Sequence, residues 1–287
     1  MALTVPARLA ANCRNSAGRT AWLGRVPALL KDLKQRWALS LDDPFDGEDV
    51  SCAWVAPACR ADGTTAVLKL PMPHMEGEHE IAGLRFWNGN PTVRLLDADE
   101  NLGAMLLERC EPGTALRSLP EPEQDVIIAE LLSRLWRVPI AGHPFRQLSS
   151  LIEYWSAETL AASDDWSDPN LVREGLATFK ELLRTSAMEV TLATDLHAGN
   201  VLHAEREPWV VIDPKPFIGD PAYDLTQHLF NCPERLLTDP IGLIRPLADL
   251  AEVDCHRVRL WTFAHAAAEP RSKWNNSLTQ IARAIAV

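Results

Sequence analysis

No stretch of this chain is apolar for the roughly 20 residues a helix needs to cross a bilayer. The start, MALTVPARLAANCR, interrupts its short Ala/Leu patch with Arg8 and Arg14. A membrane partner and a secretory signal core are therefore not expected. Cysteine is sparse: six residues, at 13, 52, 59, 110, 232 and 255, with no C-x-x-C pair. Such spacing suggests neither a disulfide framework nor a zinc site, and a reducing cytoplasm is the expected setting. Surplus positive charge is also missing, since 28 Lys and Arg stand against 39 Asp and Glu, for a net charge of −11. Nucleic acid is excluded as an expected partner, because its phosphates must be neutralised by excess basic side chains. The deficit is uneven: residues 1–110 carry 14 acidic and 12 basic side chains, residues 111–287 carry 25 and 16. An acidic second half suits a cationic small molecule. Only two tyrosines accompany ten tryptophans, which are expected to fill core and grooves.

What is present is enough apolar material, 47% of 287 residues, to bury the core of one large domain or two lobes. The chemistry concentrates in Thr191 to Asp224, TLATDLHAGNVLHAEREPWVVIDPKPFIGDPAYD. Asp195 and Asn200 stand five apart in DLHAGN, and VVID brings a third metal-competent group, Asp213. Short apolar runs at Val190–Ala193, Val201–His203 and Trp209–Ile212 flank these polar residues, which places them at the ends of buried strands. This is the spacing of a phosphoryl-transfer site. One carboxylate accepts the proton of an attacking hydroxyl, while an amide and a second carboxylate hold magnesium on the nucleotide phosphates. His197 is expected to support the loop by a hydrogen bond, since zinc would need further ligands at suitable spacing.

The segment resembles the catalytic loop and metal-binding Asp of the aminoglycoside phosphotransferase family, in its aminoglycoside/hydroxyurea resistance kinase branch, over about Asp46 to Pro270. The resemblance implies a two-lobed, protein-kinase-like α/β (α+β) fold, with a small antiparallel-sheet N-lobe (1–110) and a mostly helical C-lobe (111–287). It implies Asp195 as catalytic base, Asn200 and Asp213 as Mg²⁺ ligands, and ATP or GTP between the lobes. The family's loop usually begins His-Gly-Asp, whereas Ala193 and Thr194 precede Asp195 here.

In the first 110 residues, Trp22, Val26, Leu29, Leu30, Leu33 and Trp37 recur at helical spacing and predict a packing helix. Leu39–Leu41 begins the sheet. Gly47 and Ser51 in DDPFDGEDVS are candidates for phosphate contact, with a plain hairpin as the alternative. Runs at Cys52–Ala56 and Thr64–Leu70 meet through a hairpin at Arg60–Gly63. Lys69, on the second run, is the expected phosphate-neutralising lysine. Glu80 shares a helical face with Leu84 and Trp87, so it is the expected ion-pair partner of that lysine, with Glu76 as runner-up. Thr92–Leu96 and Ala104–Leu107 predict two further strands. By the resemblance, the backbone of Glu108 and Cys110 contacts the nucleotide base.

Beyond Pro112-Gly113 the pattern turns helical, with Pro122 and Pro169 at helix starts. Asp164, Asp165 and Asp168 cluster about Trp166, either to receive cationic groups of a substrate or to cap the next helix. Asp220 and Asp254 are predicted helix caps. The resemblance makes Asp224 a buttress of the catalytic loop and brings Glu269 to the acceptor site. The expectation is a kinase, monomer or simple dimer, phosphorylating a hydroxyl of an aminoglycoside, with streptomycin the favoured acceptor. Rival readings are a kinase of another small alcohol and a non-catalytic nucleotide-binding protein. With six residues between Asp213 and Asp220, there is no room for the activation segment of an enzyme acting on protein.

Overall fold

The computed structural model describes residues 4–14, 16–47, 51–186, 188–268 and 276–286. The chain opens with helices α1 (Ala7–Cys13) and α2 (Ala17–Arg36), strands β1 (Leu39–Leu41), β2 (Ala53–Arg60) and β3 (Thr65–Pro71), and helix α3 (Glu80–Trp87). Strands β4 (Leu95–Asp99), β5 (Ala104–Glu108) and β6 (Pro112–Ala115) precede α4 (Glu121–Leu135), β7 (Arg146–Gln147), α5 (Leu148–Ala161) and α6 (Pro169–Arg184). Then come β8 (Val190–Leu192), β9 (Val201–Ala204), β10 (Val210–Val211) and β11 (Phe217–Gly219), and the chain closes in α7 (Pro221–Phe230), α8 (Pro233–Thr238), α9 (Pro240–Leu250), α10 (Cys255–Ala268) and α11 (Asn276–Ile285). Among the described residues no helix is long and apolar enough to cross a membrane.

These elements form two compact units. The first runs to Thr114 and takes in Leu202–Ile212, and the second holds Ala115–Val201 and the chain from Asp213 onward.

The first unit is built on an antiparallel sheet in the order β1-β2-β3-β5-β4. Alternation along its strands sorts the side chains onto two faces. Ala66, Leu68 and Leu70 join Trp54, Ala104 and Leu106 in packing on Leu9, Trp22, Val26, Leu30 and Leu33 of the leading helices. Met105 and Leu107 turn the other way, onto Ile81 and Leu84 of α3. The expected hairpin closes where predicted: Arg60 N–H donates to Thr64 O at 2.9 Å, and Gly63 sits at φ +87°, which glycine adopts at no steric cost.

Two expectations shift. The predicted strand at Thr92–Leu96 starts instead at Leu95, because residues before it pair elsewhere: Val93 N–H donates to Val211 O and Val211 N–H to Pro91 O, both at 2.9 Å. The helix that carries Glu80 begins only at that residue, after a 3-10 turn at Met75–Gly77, so the runner-up Glu76 lies outside it.

In the second unit a small sheet, β7-β11-β8, flanks the DLHAGN loop amid the helices. Asp168, Asp220 and Asp254 accept N–H bonds from Leu171, Ala222 and Arg257 at 3.2, 3.0 and 2.8 Å, the satisfied first turns that helix caps provide. Asp220 also receives Trp261 Nε1–H at 2.8 Å and the Arg257 guanidinium at 2.5 Å, tying the start of α7 to α10.

Candidate active site

In the first unit, strand parity decides where Lys69 points. It lies opposite Met105 in the β3–β5 register, on the face that α3 covers. Glu80 is the first residue of α3, and its Oε1 meets Lys69 Nζ at 2.5 Å, with the two side chains only 8% and 3% exposed. A buried ion pair of this kind holds the ammonium in one place. Glu108 ends the neighbouring strand β5. Its N–H is spent on Arg94 O at 3.0 Å, and its carboxylate is gripped by Arg206 at 2.5 Å. Cys110 follows, its thiol pushed up to about 11 by burial, with Glu108 nearby adding to the effect. At neutral pH it is therefore an uncharged side chain. Ser51 accepts Asn12 Nδ2–H on its carbonyl at 2.9 Å, and its hydroxyl lies 3.5 Å from Cys52 Sγ.

In the second unit, Asp195 stands just past the end of β8, half-buried. Asn200 Nδ2–H donates to Asp195 O at 2.9 Å, which commits the amide nitrogen and leaves the amide oxygen to serve as an acceptor. Asp213 is at φ +53°, and two residues later Lys215 N–H donates to Ala193 O at 2.8 Å. The segment carrying Asp213 is thereby clipped against the segment carrying Asp195. Amide and carboxylate oxygens of this kind are the hard donors that Mg²⁺ takes, so Asn200 and Asp213 fit such an ion. His197 Nδ1 accepts Gly199 N–H at 3.0 Å, a loop-supporting bond.

The unusual Ala193-Thr194 pair is held from beneath. Asp224, fully buried on α7, accepts Ala193 N–H at 2.9 Å, Thr194 N–H at 2.8 Å and Trp136 Nε1–H at 3.0 Å. Burial raises its carboxyl to about 6, against the pull of those three donors. Thr194 takes a left-handed φ of +46°, and its Oγ1–H donates to Lys215 O at 2.7 Å.

The remaining candidates lie elsewhere. Asp164 and Asp165 form an exposed 3-10 turn between α5 and α6. Asp168 caps α6 and pairs with Arg283 at 2.8 Å. Glu269 lies outside the described residues. Three residues that sequence reasoning passed over now matter. Lys215 Nζ forms an ion pair with Asp195 Oδ2, Arg206 clamps the end of β5, and Arg117 Nη2 lies so close to Gly199 that a Cβ there would collide with it. Lys215 had a local signal, its place two residues after Asp213 in IDPKP, whereas Arg206 and Arg117 act across long sequence separations.

A separate cluster, Asp125, His228 and Cys232, gathers within 4.8 Å in the helical interior. Arg235 already donates to both Asp125 oxygens, at 3.2 and 2.7 Å, which makes this cluster a joint between α4, α7 and α8.

Comparison with known proteins places the chain. The family model for aminoglycoside/hydroxyurea antibiotic resistance kinases matches residues 36–276. A streptomycin 6-kinase of Streptomyces griseus is 37% identical over 290 residues, covering 97% of this chain and 93% of that protein. A hydroxyurea phosphotransferase of Kitasatospora aureofaciens is 34% identical over 260 residues, covering 86% and 72%. Among solved structures, the choline kinase LicA of Streptococcus pneumoniae superposes with a TM-score of 0.63 at 13% identity, covering 89% of this chain and 98% of that one. That likeness shows the protein-kinase-like fold expected from the sequence.

Proposed function

The chain belongs to the aminoglycoside/hydroxyurea antibiotic resistance kinase family, and from that premise we propose that it transfers the γ-phosphate of ATP or GTP to a hydroxyl of streptomycin. In the second unit, Asp195 orients the acceptor hydroxyl and takes its proton. The alkoxide oxygen then bonds to the γ-phosphorus as the bond to the β-phosphate oxygen breaks, releasing the nucleoside diphosphate. Asn200, through its amide oxygen, and Asp213 would hold Mg²⁺, which when bound would offset negative charge on the nucleotide phosphates. In the first unit, Lys69, fixed by Glu80, neutralises the α- and β-phosphates, and the Glu108–Cys110 backbone meets the base. Ser51 is a further candidate for phosphate contact. Because so little covalent help is needed, rate comes from placing these groups and neutralising charge.

The observation that carries this reading is the arrangement around Asp195. A half-buried carboxylate at a strand end lies beside an amide whose nitrogen is already committed, in a chain whose family match spans both. The acidic second half, 25 acidic against 16 basic side chains, supports a cationic acceptor, with exposed Asp164 and Asp165 and Glu269 as candidate contacts. The 34% identity to a hydroxyurea phosphotransferase supports a second acceptor, in which an N-hydroxyl replaces the carbon-borne hydroxyl of streptomycin.

Mass spectrometry of streptomycin, hydroxyurea, other aminoglycosides and small alcohols, each incubated with the protein and Mg-ATP or Mg-GTP, tests both. Gain of one phosphate on streptomycin, lost in Asp195→Ala, is the expected result. Phosphate on hydroxyurea or another alcohol alone moves the acceptor and keeps the chemistry. Transfer at the wild-type rate by Asp195→Ala refutes the assigned base. A nucleotide-dependent rise in melting temperature without any transfer points to the non-catalytic reading, since ligand bound to the folded state alone stabilises by mass action.

A further inference from the structure

Lys215 touches each of the three residues that end in Asp195. Its N–H donates to Ala193 O at 2.8 Å, its carbonyl accepts Thr194 Oγ1–H at 2.7 Å, and its Nζ pairs with Asp195 Oδ2. Pro214 and Pro216 flank it, and their rings fix φ on either side, so the backbone that carries the ammonium has little freedom to drift. The cation is the more enclosed partner: its side chain is 12% exposed, that of Asp195 27%. A chain that needed only a solvated surface pair would not secure one residue at backbone nitrogen, backbone oxygen and side chain to the same tripeptide.

A carboxylate on its own turns about a broad, two-fold torsion, and nothing in that torsion distinguishes the oxygen that faces substrate. We propose that Lys215 is a positioning residue for the reaction. By holding Oδ2 of Asp195 it presents Oδ1 to the acceptor hydroxyl. This rests on Asp195 being the base, and it adds that the Ala193-Thr194 lead into the loop is braced from residue 215. The proton still goes to Asp195, from which it is lost to solvent, and Lys215 exchanges none in the step.

The contribution of such a brace is to orientation, where a misplacement of about 1 Å costs on the order of 100-fold in rate. Lys215→Met is expected to lower kcat about 100-fold, leave KM for the nucleotide within about threefold, and leave the melting temperature close to wild type. Lys215→Arg restores a cation on the same backbone brace and is expected to recover at least about tenfold of the lost kcat. If Lys215→Met does not fold, Lys215→Gln is read in its place, with Lys215→Arg as the reference. Asp195→Asn is measured alongside, and it must be inactive for the base assignment to stand. A loss of kcat under about tenfold, a change confined to KM, or an Arg variant no better than Met overturns the inference while an inactive Asp195→Asn keeps the base. An active Asp195→Asn overturns the base itself.

Discussion

Thr194 sits where the family's loop usually carries glycine, and it keeps the left-handed turn, at φ +46°. For a β-branched residue that conformation costs about 1–2 kcal/mol. The bond from its hydroxyl to Lys215 O and that from its N–H to Asp224 Oδ1 offset it at about 1 kcal/mol each. The loop geometry therefore holds without glycine because two side chains, the Thr194 hydroxyl and the Asp224 carboxylate, secure it. Replacing Asp224 with Asn keeps the volume but turns an NH₂ toward donors, so one of the Ala193, Thr194 and Trp136 N–H groups is left facing another donor. The variant is expected to melt well below wild type. The gap should also depend on pH. Both folded and unfolded chains have Asp224 protonated below its ordinary value of 3.8. The folded chain stays protonated to about 6, so the stability this group contributes is fully present at low pH and is lost as pH rises through about 6. Melting temperatures of wild type and Asp224→Asn between pH 7 and pH 4.5 are expected to diverge toward acid. A constant difference would mean that Asp224 does not titrate in that window.

At the scale of elements, the Lys69 site is a consequence of parity. Val67, Lys69 and Met105 face α3 because Ala66, Leu68 and Leu106 face the leading helices, and α3 offers Glu80 in its first turn. Glu80→Ala removes one partner of this buried ion pair, at a cost of about 3–5 kcal/mol. A Lys69→Met/Glu80→Leu double variant removes both charges and is expected to regain most of that stability while remaining inactive. Urea unfolding and a transfer assay on the same preparations separate the two effects, and an active double variant would remove Lys69 from the mechanism. Much of this was legible in the chain, because a period of two and an i, i+4, i+7 face are written into adjacent residues. The DLHAGN and IDP motifs were legible for the same reason, as they are local. Lys215 closing on Asp195, Arg206 on Glu108 and Trp136 on Asp224 were not, since each joins residues 20 to 98 positions apart and depends on how the strands return. The start of β4 was misread by three residues because Thr92 and Val93 pair with Val211, a partner more than 100 residues on that no local pattern names.

Over the whole molecule the charge is −11, and −9 of it lies in residues 111–287. A field of one sign acts on a polycationic acceptor at a distance and raises its local concentration, whereas a neutral acceptor of the same hydroxyl chemistry does not respond to it. Salt separates the two, since the Debye length falls from about 10 Å at 0.1 M to about 3 Å at 1 M. With streptomycin as acceptor, KM is expected to rise several-fold between about 0.05 and 0.5 M KCl while kcat changes less than about twofold, because screening weakens encounter and leaves the bound geometry alone. With hydroxyurea, KM should stay level over the same range. Level KM values for both would mean that the acidic surface serves solubility and that acceptor choice is made by contacts at the site, in which case substitutions at Asp164 and Asp165 become the next variables to test.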